Sequence, residues 1–112
     1  MSAHELLRVV DLLANQVAHW SPSRWAVRVE PDGASRGDLL YALVQRLADL
    51  AADAEGVPRR GVPRLDNDLT LVDQLRVVAG DLVTAGASDL LTHAAAADVS
   101  AVRERLHGPT QR

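Results

Sequence analysis

Apolar residues recur at steps of three and four positions in four stretches of this 112-residue chain. The spacing matches the turn of an α-helix and gives each stretch one apolar face. Such a face must be buried against another element, so four such helices require a shared core. The repeating positions are Leu6, Val10, Leu13, Val17 and Trp20, then Leu40, Leu43, Leu47, Leu50 and Ala54, then Leu71, Leu75, Val78, Leu82 and Ala85, and finally Leu91, Ala95, Val99, Val102 and Leu106.

Start signals precede these stretches. Ser2 with Glu5, and Ser35 with Asp38, have the capping-box spacing, in which the serine hydroxyl and the acidic side chain each accept a free backbone N–H. Ser88 is suited to cap the last helix. The third helix has three alternative starts, at residues 66, 68 and 70.

Stop signals follow them. Proline at Ser21-Pro22 ends the first helix near residue 19, and Gly56 and Gly86 provide left-handed stops for the second and third. The last helix is predicted to run from residue 88 to 107, with a break near Asp98 as the alternative. Four consecutive alanines before Asp98 favour continuity, because alanine is the best helix former.

Residues 25–30 follow a different period. Trp25, Val27 and Val29 fall on one side of the chain, which is typical of a strand. No second strand candidate is present to pair with them. We therefore expect an extended segment that lies on the helices or pairs with another chain.

The predicted fold class is all-α, as an antiparallel four-helix bundle with one short extended segment at about 25–30. Residues 1–108 form a single helical domain and 109–112 a frayed tail. An irregular connection is predicted at 56–64, where Gly-Val-Pro-Arg occurs twice.

Composition excludes several classes of function. Twelve basic and 15 acidic residues give a net charge of −3, whereas nucleic-acid-binding domains carry a basic surplus. The absence of cysteine removes disulfides, thiolate nucleophiles and cysteine zinc sites. With no signal peptide and no apolar run of about 20 residues, we expect a cytoplasmic protein that binds neither nucleic acid nor membrane.

The basic residues are all arginine, and the chain has no lysine, isoleucine or phenylalanine. This bias follows GC-rich codons and indicates a bacterial genome of high GC content. Arg59, Arg60 and Arg64 form the densest positive charge, and arginine forks bind carboxylate or phosphate in a bidentate manner. These three are candidate partner-binding residues. The favoured alternative is a solvated connection in which they balance Asp66 and Asp68.

Trp20 and Trp25 are the only tryptophans. Tryptophan is enriched at interface hot spots, and Trp25 begins the alternating segment. Trp20, Trp25, Val27 and Val29 are therefore candidate partner-binding residues, with pairing to a strand of a second chain as the mode. The alternative is that both rings fill the end of the core.

The four histidines are the candidates for a metal site. In an antiparallel bundle, His4 and His107 would lie at one end, and His19 and His93 at the other. The Glu-x-x-His spacing of bundle metal centres is missing, so we expect no metal and no cofactor.

No catalytic motif is present. Thr92 and His93 are adjacent, but adjacent helical residues point about 100° apart and do not face each other. We therefore predict a non-enzymatic protein-interaction or scaffolding module, homodimeric. The alternative is a ligand- or metal-binding bundle that uses the histidines.

Overall fold

The computed structural model describes the backbone of residues 2–110 and the side chains of residues 3–110, and over this range the chain is all-α, as predicted. The helices are α1 (Ser2–Val17), α2 (Pro22–Trp25), α3 (Arg36–Glu55), α4 (Leu71–Thr84) and α5 (Asp89–Leu106), and a 3₁₀ turn (Asp68–Thr70) precedes α4. Helix α5 runs without interruption through Asp98.

Local capping explains where the helices begin and end. The hydroxyl of Ser35 accepts from the Asp38 amide at 3.0 Å, and the Asp38 carboxylate accepts from the Ser35 amide at 3.3 Å. Ser88 Oγ accepts from the Leu91 amide at 3.2 Å. Gly56 ends α3 with a φ of 73°. These predicted signals are confirmed, while the predicted pairing of Ser2 with Glu5 lies outside the described side chains.

The extended stretch is shorter than predicted because its first part is helical. Ser21 Oγ accepts from the Arg24 amide at 3.3 Å, and Pro22 occupies the first turn of α2, where a missing N–H is tolerated. This start signal outweighs the alternation of three apolar residues. Within residues 2–110, two isolated bridges are formed, between Arg28 and Ser35 and between Val29 and Thr110.

The chain itself satisfies the backbone of this stretch. The Val29 amide donates to the Ala34 carbonyl at 2.9 Å, and the Glu30 amide donates to the Pro109 carbonyl at 3.0 Å. Pro109 and Thr110 are therefore in contact with the loop before α3, which differs from the predicted frayed tail. Residues 111 and 112 lie outside the described range.

Helices α1 and α5 pack against each other in the same direction. Glu5 contacts His93 near the start of both helices, and Gln16 accepts from Arg103 near their ends. Helices α3 and α4 are likewise parallel, because Gly37 at the start of α3 lies against the turn before α4, and Ala51 near its end lines a groove with residues in the second half of α4.

The connection between α3 and α4 crosses back along α3. Gln45 Nε2 donates to the Arg60 carbonyl at 3.0 Å, and the Tyr41 hydroxyl donates to the Val62 carbonyl at 2.5 Å. Fifteen residues separate the two helices. Extended, they reach about 50 Å, whereas α3 is about 30 Å long. The connection is therefore long enough to return to the start of α3.

The two parallel pairs pack against each other in opposite directions. Asp11 in α1 pairs with Arg76 in α4, while the end of α1 lines a groove with Val72 at the start of α4. The order of directions is up, down, down, up. The predicted antiparallel bundle, in which the direction alternates from each helix to the next, is therefore corrected. The 15-residue connection lets α4 lie parallel to α3. The core is filled mainly by leucine, valine and alanine, with Trp25 as its largest fully buried side chain.

Candidate functional site

The predicted apolar partner-binding residues lie largely inside the chain. Trp20 and Trp25 are in edge contact, with ring centroids 4.9 Å apart, and they are 4% and 1% exposed. Val29 is 0% exposed, and Val27 is half-buried. The rings therefore lie where the core interpretation places them. Direct binding of a partner by Trp25 or Val29 stays a prediction, and it would require these side chains to leave the core.

Two guanidiniums lie on the ring of Trp20. The Cζ atoms of Arg24 and Arg36 are 5.0 and 4.6 Å from its centroid, and Arg36 Nη1 donates to the Arg24 carbonyl at 3.3 Å. The ring of His107 is 5.7 Å from that of Trp20. We name Trp20, Arg24, Arg36 and His107 the Trp20 cluster. Its geometry arises because α2 turns Arg24 towards Trp20 and the following loop brings Arg36 back.

The Trp20 cluster carries positive charge that the described residues do not neutralise. Neither Arg24 nor Arg36 forms an ion pair with a carboxylate in this range. The buried Nε of Arg36 has no hydrogen-bond acceptor there. Burial, with a contribution from the charge of Arg24, lowers the pKa of Arg36 from its ordinary value. A guanidinium nevertheless remains protonated in proteins, so the cluster is a standing cationic site.

Arg59 in the connection is engaged within the chain. It makes a bidentate pair with Asp53, with Nε–Oδ1 at 3.0 Å and Nη2–Oδ2 at 2.6 Å. Hydrogen bonding to Arg59 lowers the pKa of the Asp53 carboxyl, and the same bond raises the pKa of Arg59. Its partner is therefore a carboxylate of α3, rather than the Asp66 or Asp68 expected from the sequence.

Arg64 holds the connection to the start of α3. It pairs with Asp38 and with Asp68, each at 3.2 Å, and its guanidinium lies 4.9 Å from the centre of the Tyr41 ring. Asp68 occupies the space that a β-carbon at Gly37 would need. Glycine at this position therefore permits the close approach on which the Arg64 pairs depend.

Arg60 is the exception among the arginines of the connection. Its side chain is exposed and forms no ion pair with the described residues. It lines a groove that shares Val62 and Val78 with a second, apolar groove of about 350 Å³ between the connection and α4, which we name the α4 groove. Leu65 and Val77 in this groove are 46% and 60% exposed. The groove is lined by Val62, Leu65, Thr70, Asp73, Gln74, Val77 and Val78.

The histidines are distributed differently from the prediction. His93 Nδ1 lies 3.0 Å from Glu5 Oε1, at the end where α1 begins. His107 contacts Trp20, at the end where α1 stops. Because α1 and α5 are parallel, the expected pairing of His4 with His107, and of His19 with His93, is wrong. Within residues 2–110, no three His, Cys, Asp or Glu side chains form a group that could hold a metal ion.

Comparison with protein-family models, with curated proteins and with solved structures finds no match to this chain. Over residues 2–110, no helix combines the length and the apolar character needed to span a bilayer. The Trp20 cluster and the α4 groove are the two surfaces of this range with unpaired charge or exposed apolar side chains that a partner could contact.

Sequence reasoning named Trp20 as a candidate but missed the two arginines on its ring, and it missed the α4 groove. Arg24 follows Trp20 by four residues, a spacing that would place the two on one helical face, but the proline between them predicts a helix end. Arg36 is 12 residues further along and reaches Trp20 only through the fold. Val77 falls outside the apolar repeat of the third predicted helix, and this is the one signal that could have marked it as exposed.

Proposed function

We propose that this chain is a non-enzymatic, cytoplasmic protein-interaction module that forms a homodimer through the α4 groove. The observation that carries the proposal is the exposure of Val77, 60%, in the middle of a helix and beside the half-exposed Leu65. Removing apolar surface from water contributes about 25 cal/mol per Å², so this groove favours an apolar occupant.

Gly80 supports a second helix as that occupant. It lies on the same face of α4 as Val77, one turn further on. Nothing in the described chain lies within 4 Å of the position that its β-carbon would take. Glycine inside a helix costs about 1 kcal/mol relative to alanine, and no close approach within the chain accounts for it. A second copy of α4 would use the missing side chain to approach closely.

The charges around the groove favour a second copy over a strongly charged partner. Asp73 lines the α4 groove, and exposed Arg60 and Asp81 line the neighbouring groove that shares Val62 and Val78 with it. None of the three forms an ion pair with the described residues. A two-fold axis brings the same patch of both copies together, so the arginine of each copy can face a carboxylate of the other.

Replacing Val77 by aspartate is expected to abolish the dimer. A charge buried without a partner costs about 3–5 kcal/mol, which raises the dissociation constant by at least about 100-fold. Sedimentation equilibrium measures the constant, and circular dichroism checks that the helices persist. Because Val77 is exposed in the single chain, the monomer should fold normally.

The matched control is Leu90→Asp. Leu90 is 81% exposed at the start of α5 and takes no part in the α4 groove, so this variant should dimerise like the unmodified chain. The proposal is overturned by an unmodified chain that is monomeric at its highest soluble concentration. It is also overturned by a Val77→Asp variant that dimerises with unchanged affinity.

Replacing Gly80 by alanine should change folding and dimerisation in opposite directions. In the monomeric Val77→Asp background, alanine is expected to stabilise the fold by about 1 kcal/mol, because α4 has open space for the methyl group. The midpoint of thermal unfolding then rises by about 4–8 °C. In the unmodified background, the added methyl group should weaken the dimer. An unchanged dimerisation constant would place Gly80 outside the interface.

A further inference from the structure

We propose that Arg24 and Arg36, held together on the ring of Trp20, form a binding site for a phosphate group. The site is separate from the α4 groove and extends the function beyond dimerisation. Its parts come from α2 and from the first residue of α3, and one indole ring contacts both guanidiniums.

The contacts of the two arginines set them apart from the arginines that stabilise the fold. Ion pairs with aspartate engage Arg46, Arg59, Arg64, Arg76 and Arg105. By contrast, the side chain of Arg24 makes no hydrogen bond with the described residues, and Arg36 uses one of its donors, on the Arg24 carbonyl. Apart from the buried Nε of Arg36, the remaining donors of the two guanidiniums on the Trp20 ring are therefore available to a ligand.

The site is also pre-organised in the absence of a ligand. Both guanidiniums lie on the Trp20 ring at cation–π distance, and Trp20 is itself held by Trp25. Ordering two free arginine side chains would otherwise reduce the affinity, because each immobilised side chain loses rotamer freedom. No carboxylate among residues 3–110 pairs with either guanidinium to relieve their mutual repulsion, and a bound anion would relieve it.

A phosphate group fits this arrangement better than a carboxylate. It carries between one and two negative charges at pH 7, and its oxygens can accept from two forks that approach from different directions. A carboxylate presents two oxygens in one plane and is matched by a single fork. The structure thus favours a tetrahedral anion that bridges Arg24 and Arg36.

The experiment titrates inorganic phosphate into the full chain at constant ionic strength, followed by nuclear magnetic resonance. The chain has two indole N–H groups, so the signal of Trp20 can be followed apart from that of Trp25. We expect saturable shifts of the Trp20 indole and of the Arg36 Nε. The Val77→Asp monomer should give the same result, which keeps this test independent of the dimer.

Arg36→Gln and Arg24→Gln are each expected to reduce phosphate affinity about tenfold or more, the usual effect of losing a charge-assisted hydrogen bond. Arg24 is exposed, so its variant remains informative if loss of Arg36 perturbs the fold. Arg36→Lys should recover only part of the affinity, since lysine keeps the charge and loses the fork. Arg60→Gln in the Val77→Asp monomer is the matched control, because it removes an equally unpaired arginine elsewhere without affecting a dimer.

Three results would overturn the proposal. The first is a change in the chemical shift of the Trp20 indole that grows with the phosphate concentration without saturating. The second is an Arg60→Gln variant that loses as much affinity as Arg36→Gln, which would indicate a general effect of charge. The third is acetate binding as tightly as phosphate, which would reject the bridging tetrahedral anion.

Discussion

Replacing Trp25 by alanine is expected to lower the free energy of unfolding by about 3–5 kcal/mol and to leave the oligomeric state of the folded protein unchanged. Trp25 is 1% exposed and packs against Trp20, so truncation leaves a large cavity at this end of the core. Domains of this size are stable by only about 5–15 kcal/mol, and the loss is a large part of that. Urea denaturation followed by circular dichroism gives the stability, and light scattering gives the mass.

Trp25→Phe is the matched variant. The buried indole N–H of Trp25 has no acceptor among the described residues, so phenylalanine removes an unsatisfied donor and keeps most of the apolar ring. Its stability should therefore lie much closer to that of the unmodified chain than to Trp25→Ala. The opposite pattern for Trp25→Ala, dissociation of the dimer with unchanged stability, would instead assign Trp25 to an interface.

Replacing Val29 by aspartate is expected to have a comparable or larger effect. Val29 is fully buried, and its backbone forms a bridge with Thr110 in the segment that follows α5. A carboxylate forced into this position loses its hydration, and an uncompensated buried charge costs about 3–5 kcal/mol. We expect the variant to unfold at far lower urea concentration, or to be largely unfolded without urea.

Val27→Asp provides the comparison, because Val27 is half-buried and two residues away on the same loop. Its carboxylate can turn to water, so the loss of stability should be much smaller. Equal effects of the two substitutions would contradict the buried position of Val29. A Val29→Asp protein that folds normally but no longer associates would favour the strand-pairing interpretation of residues 25–30.

The helices were largely predictable, and the exceptions show the limit of periodicity. Ser35 with Asp38 and Ser88 act on amides only three residues away, so their effect is visible in the sequence. The alternation of Trp25, Val27 and Val29 led to a longer extended stretch than the structure has. The capping of Pro22–Trp25 by Ser21 is equally local. It makes residues 22–25 helical, although the alternation predicts that Trp25 is extended.

The functional surfaces were less predictable, for a physical reason. The sequence marked Arg59, Arg60 and Arg64 by their density, but Arg59 and Arg64 are paired within the chain. The pair of Arg64 with Asp68 is local and was expected from the sequence, but the pairs with Asp53 and Asp38 on α3 depend on the fold, so density along the chain does not reveal them. Conversely, Arg24 and Arg36 are unremarkable in sequence and become a cluster only when a loop returns the chain to Trp20.

The sequence by itself determined that this protein is all-α, because caps, glycine stops and apolar repeats act over a few residues. Only the tertiary structure decided the directions of the helices. The connection from 56 to 70 is long enough for either direction of α4, and packing of the apolar faces selects the parallel one. Because α5 returns from the end of α4, that choice also makes α5 parallel to α1, which places His93 beside Glu5 and His107 beside Trp20. The return of the loop before α3 brings Arg36 to Trp20.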